Sequence, residues 1–135
     1  MENATYVLDA SALLAYLNDE AGAGVVEEAL PRGATISSVN LAEVLSKLAE
    51  VGEDPLDVTE NLRRRGLLGG KIVVSPLSED DAVVIARLHR STRALGLSLG
   101  DRACLGLALR LKVPALTADR TWSRLKVGVK IAPIR

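Results

Sequence analysis

The sequence predicts an α/β domain built on a mostly parallel sheet. Three observations carry that expectation. Short apolar runs rich in Val, Ile and Leu recur along the 135 residues, helical patterns fill the intervals between them, and no repeat or long linker breaks the alternation. Strands joined in this way are linked by right-handed crossovers, and ligands bind such sheets beyond the carboxyl ends of the strands.

Each element has its own signal. Thr5 to Leu8 is short, apolar and β-rich, and reads as the first buried strand. Ser11 stands where a helix N-cap is expected, ahead of Ala12 to Leu17. A second helix is expected from Gly24 to Leu30, stopping at Pro31, and Ala34 to Ser37 reads as the next strand. In the helix after it, Leu41, Val44, Leu45 and Leu48 share one face at spacings of three and four. Pro55 to Leu68 can form a further helix, halted by Gly69-Gly70, and Lys71 to Ser75 is the third strand. Ser78 with Asp81, and Ser98 with Asp101, each have capping-box spacing. The first pair opens a helix through Arg93. The second opens one whose segment Ala103 to Leu109 is apolar nearly all round and therefore deeply buried. Pro114 to Thr117 is the fourth strand, and Val129 to Ile131 a short edge strand.

At 48% hydrophobic and 25% charged residues, the composition fits one globular domain spanning residues 1–135. No run approaches the roughly 18 to 20 apolar residues of a membrane span, and Met1-Glu2-Asn3 lacks the basic start of a signal peptide. The lone Cys104 supports neither an intramolecular disulfide nor a thiolate metal site, which makes the reducing cytoplasm the expected compartment. A formal net charge of zero conceals a division. Residues 1–60 hold 12 acids against Arg32 and Lys47, whereas residues 61–135 hold 15 bases against five acids. The basic half could face a polyanion, and the acidic half argues against a protein that coats DNA indiscriminately.

Four carboxylates occupy suspicious positions. Asp9 follows the first strand and Asp119 the fourth, so the two meet at one sheet edge if those strands are neighbours. Asp101 lies in the first turn of the most buried helix, and Glu43 near the start of another. Each has a blander explanation: turn chemistry for Asp9 and Asp119, capping for Asp101, and a solvated helix face for Glu43, which shares a stripe with Asn40, Ser46 and Lys47. Taken jointly, carboxylates pressed into a cleft repel one another and stay ionised only with a cation among them. Oxygen donors without Cys or His point to Mg²⁺ or Mn²⁺ rather than zinc. His89, flanked by Arg87 and Arg90, reads as solvated, and Cys104 among leucines as a packed thiol.

The segments Val7-Leu8-Asp9-Ala10-Ser11, Val39-Asn40-Leu41-Ala42-Glu43-Val44, Leu97-Ser98-Leu99-Gly100-Asp101-Arg102-Ala103 and Leu116-Thr117-Ala118-Asp119-Arg120 resemble, in order, the acidic motifs of PIN-domain ribonucleases. The nearest group is the VapC toxins of type II toxin–antitoxin pairs, with the likeness running from about Tyr6 to Ile134. The resemblance implies a three-layer α/β/α sandwich. It also implies a catalytic quartet of Asp9, Glu43, Asp101 and Asp119, in which Asp9, Asp101 and Asp119 hold one or two metal ions and Ser11 and Thr117 support them. The activity implied is endoribonuclease cleavage by metal-activated water, leaving 5′-phosphate and 3′-hydroxyl ends. The implied partners are an RNA substrate, a VapB-like antitoxin and a second copy of the chain.

For the RNA, Arg102 and Arg120 adjoin the acids. Arg63 to Arg65, the row Arg87, Arg90 and Arg93, and Arg124, Lys126 and Lys130 are further basic candidates, each equally readable as solvated surface. With Tyr6, Tyr16 and Trp122 as the only aromatics, a base-stacking platform is not expected. Two rival readings stay open: a non-catalytic module on the same fold, and a Mg²⁺-binding receiver-type signalling domain. The receiver lacks an acid pair beside the first strand, because Asp80-Asp81 falls at a helix start.

Overall fold

The computed structural model describes residues 5–135, so Met1 to Ala4, including the start read above for a signal peptide, lie outside the described residues. The chain runs β1 (Tyr6–Leu8), α1 (Ala10–Leu17), α2 (Ala23–Ala29), β2 (Ala34–Ser37), α3 (Ser38–Glu50), α4 (Pro55–Arg64), β3 (Ile72–Ser75), α5 (Glu79–Thr92), α6 (Leu99–Leu111), β4 (Ala115–Thr117) and β5 (Ile131–Pro133). The strands form one sheet in the order β3-β2-β1-β4-β5, with every pairing parallel. Both faces are covered, as a parallel sheet requires. Alternation within a strand divides the core. Leu8, Ile36 and Leu116 pack with α1 to α4 on one side, and Val7 and Ala115 pack with α5, α6 and Trp122 on the other. The expected three-layer α/β/α sandwich is therefore present.

Several boundaries differ from the sequence reading, each for a local reason. The cap of α1 is Asp9 and not Ser11: its carboxylate accepts the Ala12 N–H, which starts the helix earlier. Thr5 lies before β1, where its N–H and hydroxyl both donate to the Gly33 carbonyl. Helix α2 ends at Ala29, ahead of the expected stop at Pro31, and Pro31 sits inside a 3₁₀ turn, Leu30–Arg32, where its missing N–H is not needed. Helix α4 ends at Arg64 rather than Leu68. Gly66 at φ 76° turns the chain, and Leu67 and Leu68 are buried as a loop, so apolar character outlasts the helix. The edge strand begins at Ile131 instead of Val129, in register with Ala115. Pro133, at its end, is tolerated because this strand lies at the sheet edge.

Both capping boxes form, and the one at Ser78 and Asp81 also ties three elements together. Arg110 of α6 donates from Nε to Asp81 Oδ1 at 3.2 Å and from Nη2 to Ser75 Oγ at 2.9 Å. Burial pushes the Asp81 carboxyl up, but the Ser78 backbone and hydroxyl and the Arg110 charge outweigh it and hold the group below its ordinary value. The resulting stability is present above the unfolded-state value near pH 4 and is lost as pH falls through the folded value. Asp81→Ala is thus expected to cost about 1–2 kcal/mol at neutral pH, mostly through the cap, since the partly exposed Arg110 adds little. Thermal melts of both proteins should draw together as pH falls below about 4 and through the lowered folded value.

Candidate functional site

The sheet order makes the site. β1 and β4 are neighbours, with Leu8 opposite Leu116, and the Asp9 N–H donates to the Leu116 carbonyl at 3.1 Å. Asp9 and Asp119 therefore leave adjacent strands at the same edge. Helix α3 springs from β2, on the other side of β1, and carries Glu43. The first turn of α6, with Asp101, packs against α3. All four carboxylates line one pocket of about 270 Å³, together with Ala10, Ser11, Leu14 and Lys47. A larger groove of about 590 Å³, between Leu17, Leu48 and α4, contains none of them. The smaller pocket is the candidate site, because the four carboxylates line it.

Asp9 is 4% exposed and held from three sides. Its Oδ1 accepts the Ser11 hydroxyl at 2.7 Å and the Ala12 N–H at 2.8 Å, while Oδ2 accepts the Thr117 hydroxyl. Those hydroxyls in turn accept backbone donors, Ser11 from Ala118 and Thr117 from Asp119. Each therefore has its proton directed at Asp9, and the two supporting residues fasten the end of β1 to the turn after β4. Burial pushes the Asp9 carboxyl above its ordinary value. The hydrogen bonds from Thr117, Ser11 and Ala12 oppose that rise without cancelling it, and the charge of Asp101 adds to it.

The other acids are less enclosed. Asp101 Oδ2 accepts the Ser98 N–H at 2.9 Å in the α6 capping box. Asp119 is exposed, and its Oδ1 accepts the Thr121 N–H and hydroxyl at 2.9 and 2.7 Å. Glu43 Oε1 accepts an amide proton of Asn40 at 2.8 Å, and the same amide nitrogen donates to the Gly100 carbonyl at 2.9 Å. The thiol of Cys104, wholly buried beneath, registers the cluster: burial pushes it well up, and Asp9, Asp101 and Glu43 push it further.

Some sequence expectations find different surroundings. Arg102 is half-buried and donates from Nη1 to the Ile85 carbonyl of α5 at 2.9 Å, a helix-packing contact. Exposed Arg120 donates from Nε to the Arg135 carbonyl at 2.8 Å. His89 lies on the exposed face of α5, as its polar neighbours suggested. Two residues of the α3 stripe prove to border the acids. Lys47 lines the pocket, with its ammonium 3.7 Å from Glu50, and Asn40 is only 1% exposed. Helical spacing had grouped both with Glu43, and nothing local marked their face as one that another helix covers.

The donor set suits a hard divalent cation: it is all oxygen, it concentrates negative charge, and one member is almost fully buried. Among the described residues, no three His, Cys, Asp or Glu side chains are already closed around a metal position.

A family model described as the PIN domain matches residues 6–128. No curated protein matches the chain in sequence. Among solved structures, FitAcB from Neisseria gonorrhoeae is 17% identical with a TM-score of 0.73, over 96% of this chain and 98% of that one. VapBC from Salmonella typhimurium bound to DNA is 18% identical with a TM-score of 0.71, over 98% and 99%. VapC20 from Mycobacterium tuberculosis, described as a toxin cleaving the sarcin-ricin loop, is 15% identical with a TM-score of 0.70, over 93% and 99%.

Proposed function

The chain belongs to the PIN-domain family, and from that premise we propose that it is a divalent-metal-dependent endoribonuclease, the VapC-like toxin of a type II toxin–antitoxin pair. The observation that carries this reading is the convergence of Asp9, Glu43, Asp101 and Asp119 on one pocket that no histidine enters. The sarcin-ricin cleavage ascribed to VapC20 and the VapBC complexes among the structural neighbours support it.

Asp9, Asp101 and Asp119 would hold Mg²⁺ or Mn²⁺, as one or two ions and partly through water, in keeping with the ordinary habit of Mg²⁺. A divalent ion so bound supplies Lewis acidity to the scissile phosphate and acidifies water. The protein's own groups do the rest. Thr117 and Ser11 keep the Asp9 carboxylate aimed and fix the adjacent turn carrying Asp119. Glu43, in the same pocket, would support a second ion or orient and deprotonate the attacking water. Water adds to phosphorus in line with the 3′ oxygen, the P–O3′ bond breaks, and that oxygen takes up a proton from solvent as it leaves, giving 5′-phosphate and 3′-hydroxyl ends. Exposed Arg120, which follows Asp119 in the chain, would meet a phosphate, whereas Arg102 is engaged with α5. The partners we assign are RNA, a VapB-like antitoxin and a second copy of the chain, in a cytoplasmic setting. Two observations favour the nuclease over a receiver domain: Asp80 and Asp81 open α5, and Asp81 is bound by Ser78 and Arg110 rather than placed among the pocket acids.

The deciding experiment is incubation of the purified protein with a mixed RNA pool. Cleavage is expected with Mg²⁺ or Mn²⁺, to stop on chelation and to return when the ion is restored, with 5′-phosphate ends. Cleavage that survives chelation, or 2′,3′-cyclic phosphate ends, overturns the mechanism. No cleavage under any condition leaves a binding module.

A further inference from the structure

We propose that Asn40 is the positioning residue for Glu43, holding its carboxylate over the bare backbone of Gly100 and so fixing it relative to Asp101. The inference rests on the nuclease reading and deepens it. Both amide protons of Asn40 are committed, one to Glu43 Oε1 at 2.8 Å and one to the Gly100 carbonyl at 2.9 Å. The amide's orientation is forced, because the reverse would set its oxygen against two acceptors. The remaining Asn40 Oδ1 is buried without a partner, and a buried unpaired acceptor opposes folding. A leucine would fill the same space without that penalty. Gly100 is equally ill-suited to its place by local rules. It lies inside the first turn of α6, where alanine is the better helix former, and its conformation is not one that requires glycine. What it provides is room: a Cβ there would stand 2.5 Å from Glu43 Oε1 and 2.7 Å from Oε2. Two locally unfavourable residues, 60 positions apart, thus serve one carboxylate.

The test uses Asn40→Leu, with Glu43→Gln as reference and melting temperature, RNA cleavage and Mn²⁺ affinity by EPR as readouts. Melting is expected to be unchanged or raised. Turnover and Mn²⁺ affinity are expected to fall by about 10- to 100-fold, the scale for residues that orient metal ligands, with KM for RNA within twofold. In the Glu43→Gln background, Asn40→Leu should add no further loss. Gly100→Ala, which displaces the same carboxylate from the other side, should repeat the pattern and covers the case in which Asn40→Leu fails to fold. Wild-type turnover and Mn²⁺ affinity in a folded Asn40→Leu overturn the proposal. So does an equal further loss in the Glu43→Gln background, which would mean Asn40 does not act through Glu43. Should wild type itself neither bind Mn²⁺ nor cut RNA, the nuclease reading falls first and this inference with it.

Discussion

Asp9→Asn is expected to reduce RNA cleavage by about 10²- to 10³-fold, the scale of deleting one group that organises charge in a transition state, while leaving the metal-free protein at least as stable as wild type. The two halves of that result come from one geometry. Asn caps helices about as well as Asp, so the bond from the Ala12 N–H and the start of α1 survive. The amide can donate to the Thr117 oxygen, whose lone pairs accommodate it beside the Asp119 N–H. What disappears is a negative charge 4% exposed and close to Asp101. Its removal relieves the folded state and deprives the pocket of its most enclosed anion. Melts with and without Mn²⁺ test the second half. An ion at 100 times its dissociation constant stabilises a protein by about 2.7 kcal/mol, and that increment should be largely lost in the variant. Wild-type cleavage by Asp9→Asn, or an undiminished Mn²⁺ effect, would remove Asp9 from the site.

What the sequence disclosed, and what it withheld, divides by range. Asp9 and Asp119 were legible because the strands preceding them are apolar runs with clear ends, and a parallel sheet places such ends at one edge. Asp101 was legible through its capping box, which formed as spaced. Glu43 was harder. Its face of α3 lies opposite the leucines, and helical spacing alone makes such a face solvated. In the structure α6 covers part of it, a contact between residues 60 positions apart that no local pattern encodes. Asn40 was hidden for the same reason. Arg102 and Arg120 show the converse, since residue type suggests phosphate but says nothing of carbonyls at Ile85 and Arg135 that compete for their donors. At α4, hydropathy overran the helix because Leu67 and Leu68 are buried as loop. The fold class survived these slips because it depends on the order of elements and not on their ends.

Trp122→Ala is expected to have the largest effect on stability, about 3–5 kcal/mol, within a total typically of 5–15 kcal/mol. Trp122 is 0% exposed and packs with Val7, Leu105, Ala108 and Ala115 on the α6 side of the sheet, so the large cavity left behind opens under β1 and β4 together. At a chain length of 135 residues this corresponds to a fall in melting temperature of about 10–20 °C. Trp122→Phe should lose only a fraction as much. The indole Nε1 is buried without a partner, so no hydrogen bond is sacrificed and much of the volume is kept. The effect reaches the pocket as well. The Trp122 N–H donates to the Asp119 carbonyl at 3.3 Å, and the anchored indole fixes the 3₁₀ turn Arg120–Arg124 that Asp119 caps. Assayed well below its melting point, Trp122→Ala should therefore cut RNA more slowly than Trp122→Phe, with the deficit in turnover. Equal turnover in the two folded variants would separate the core beneath β4 from the placement of Asp119.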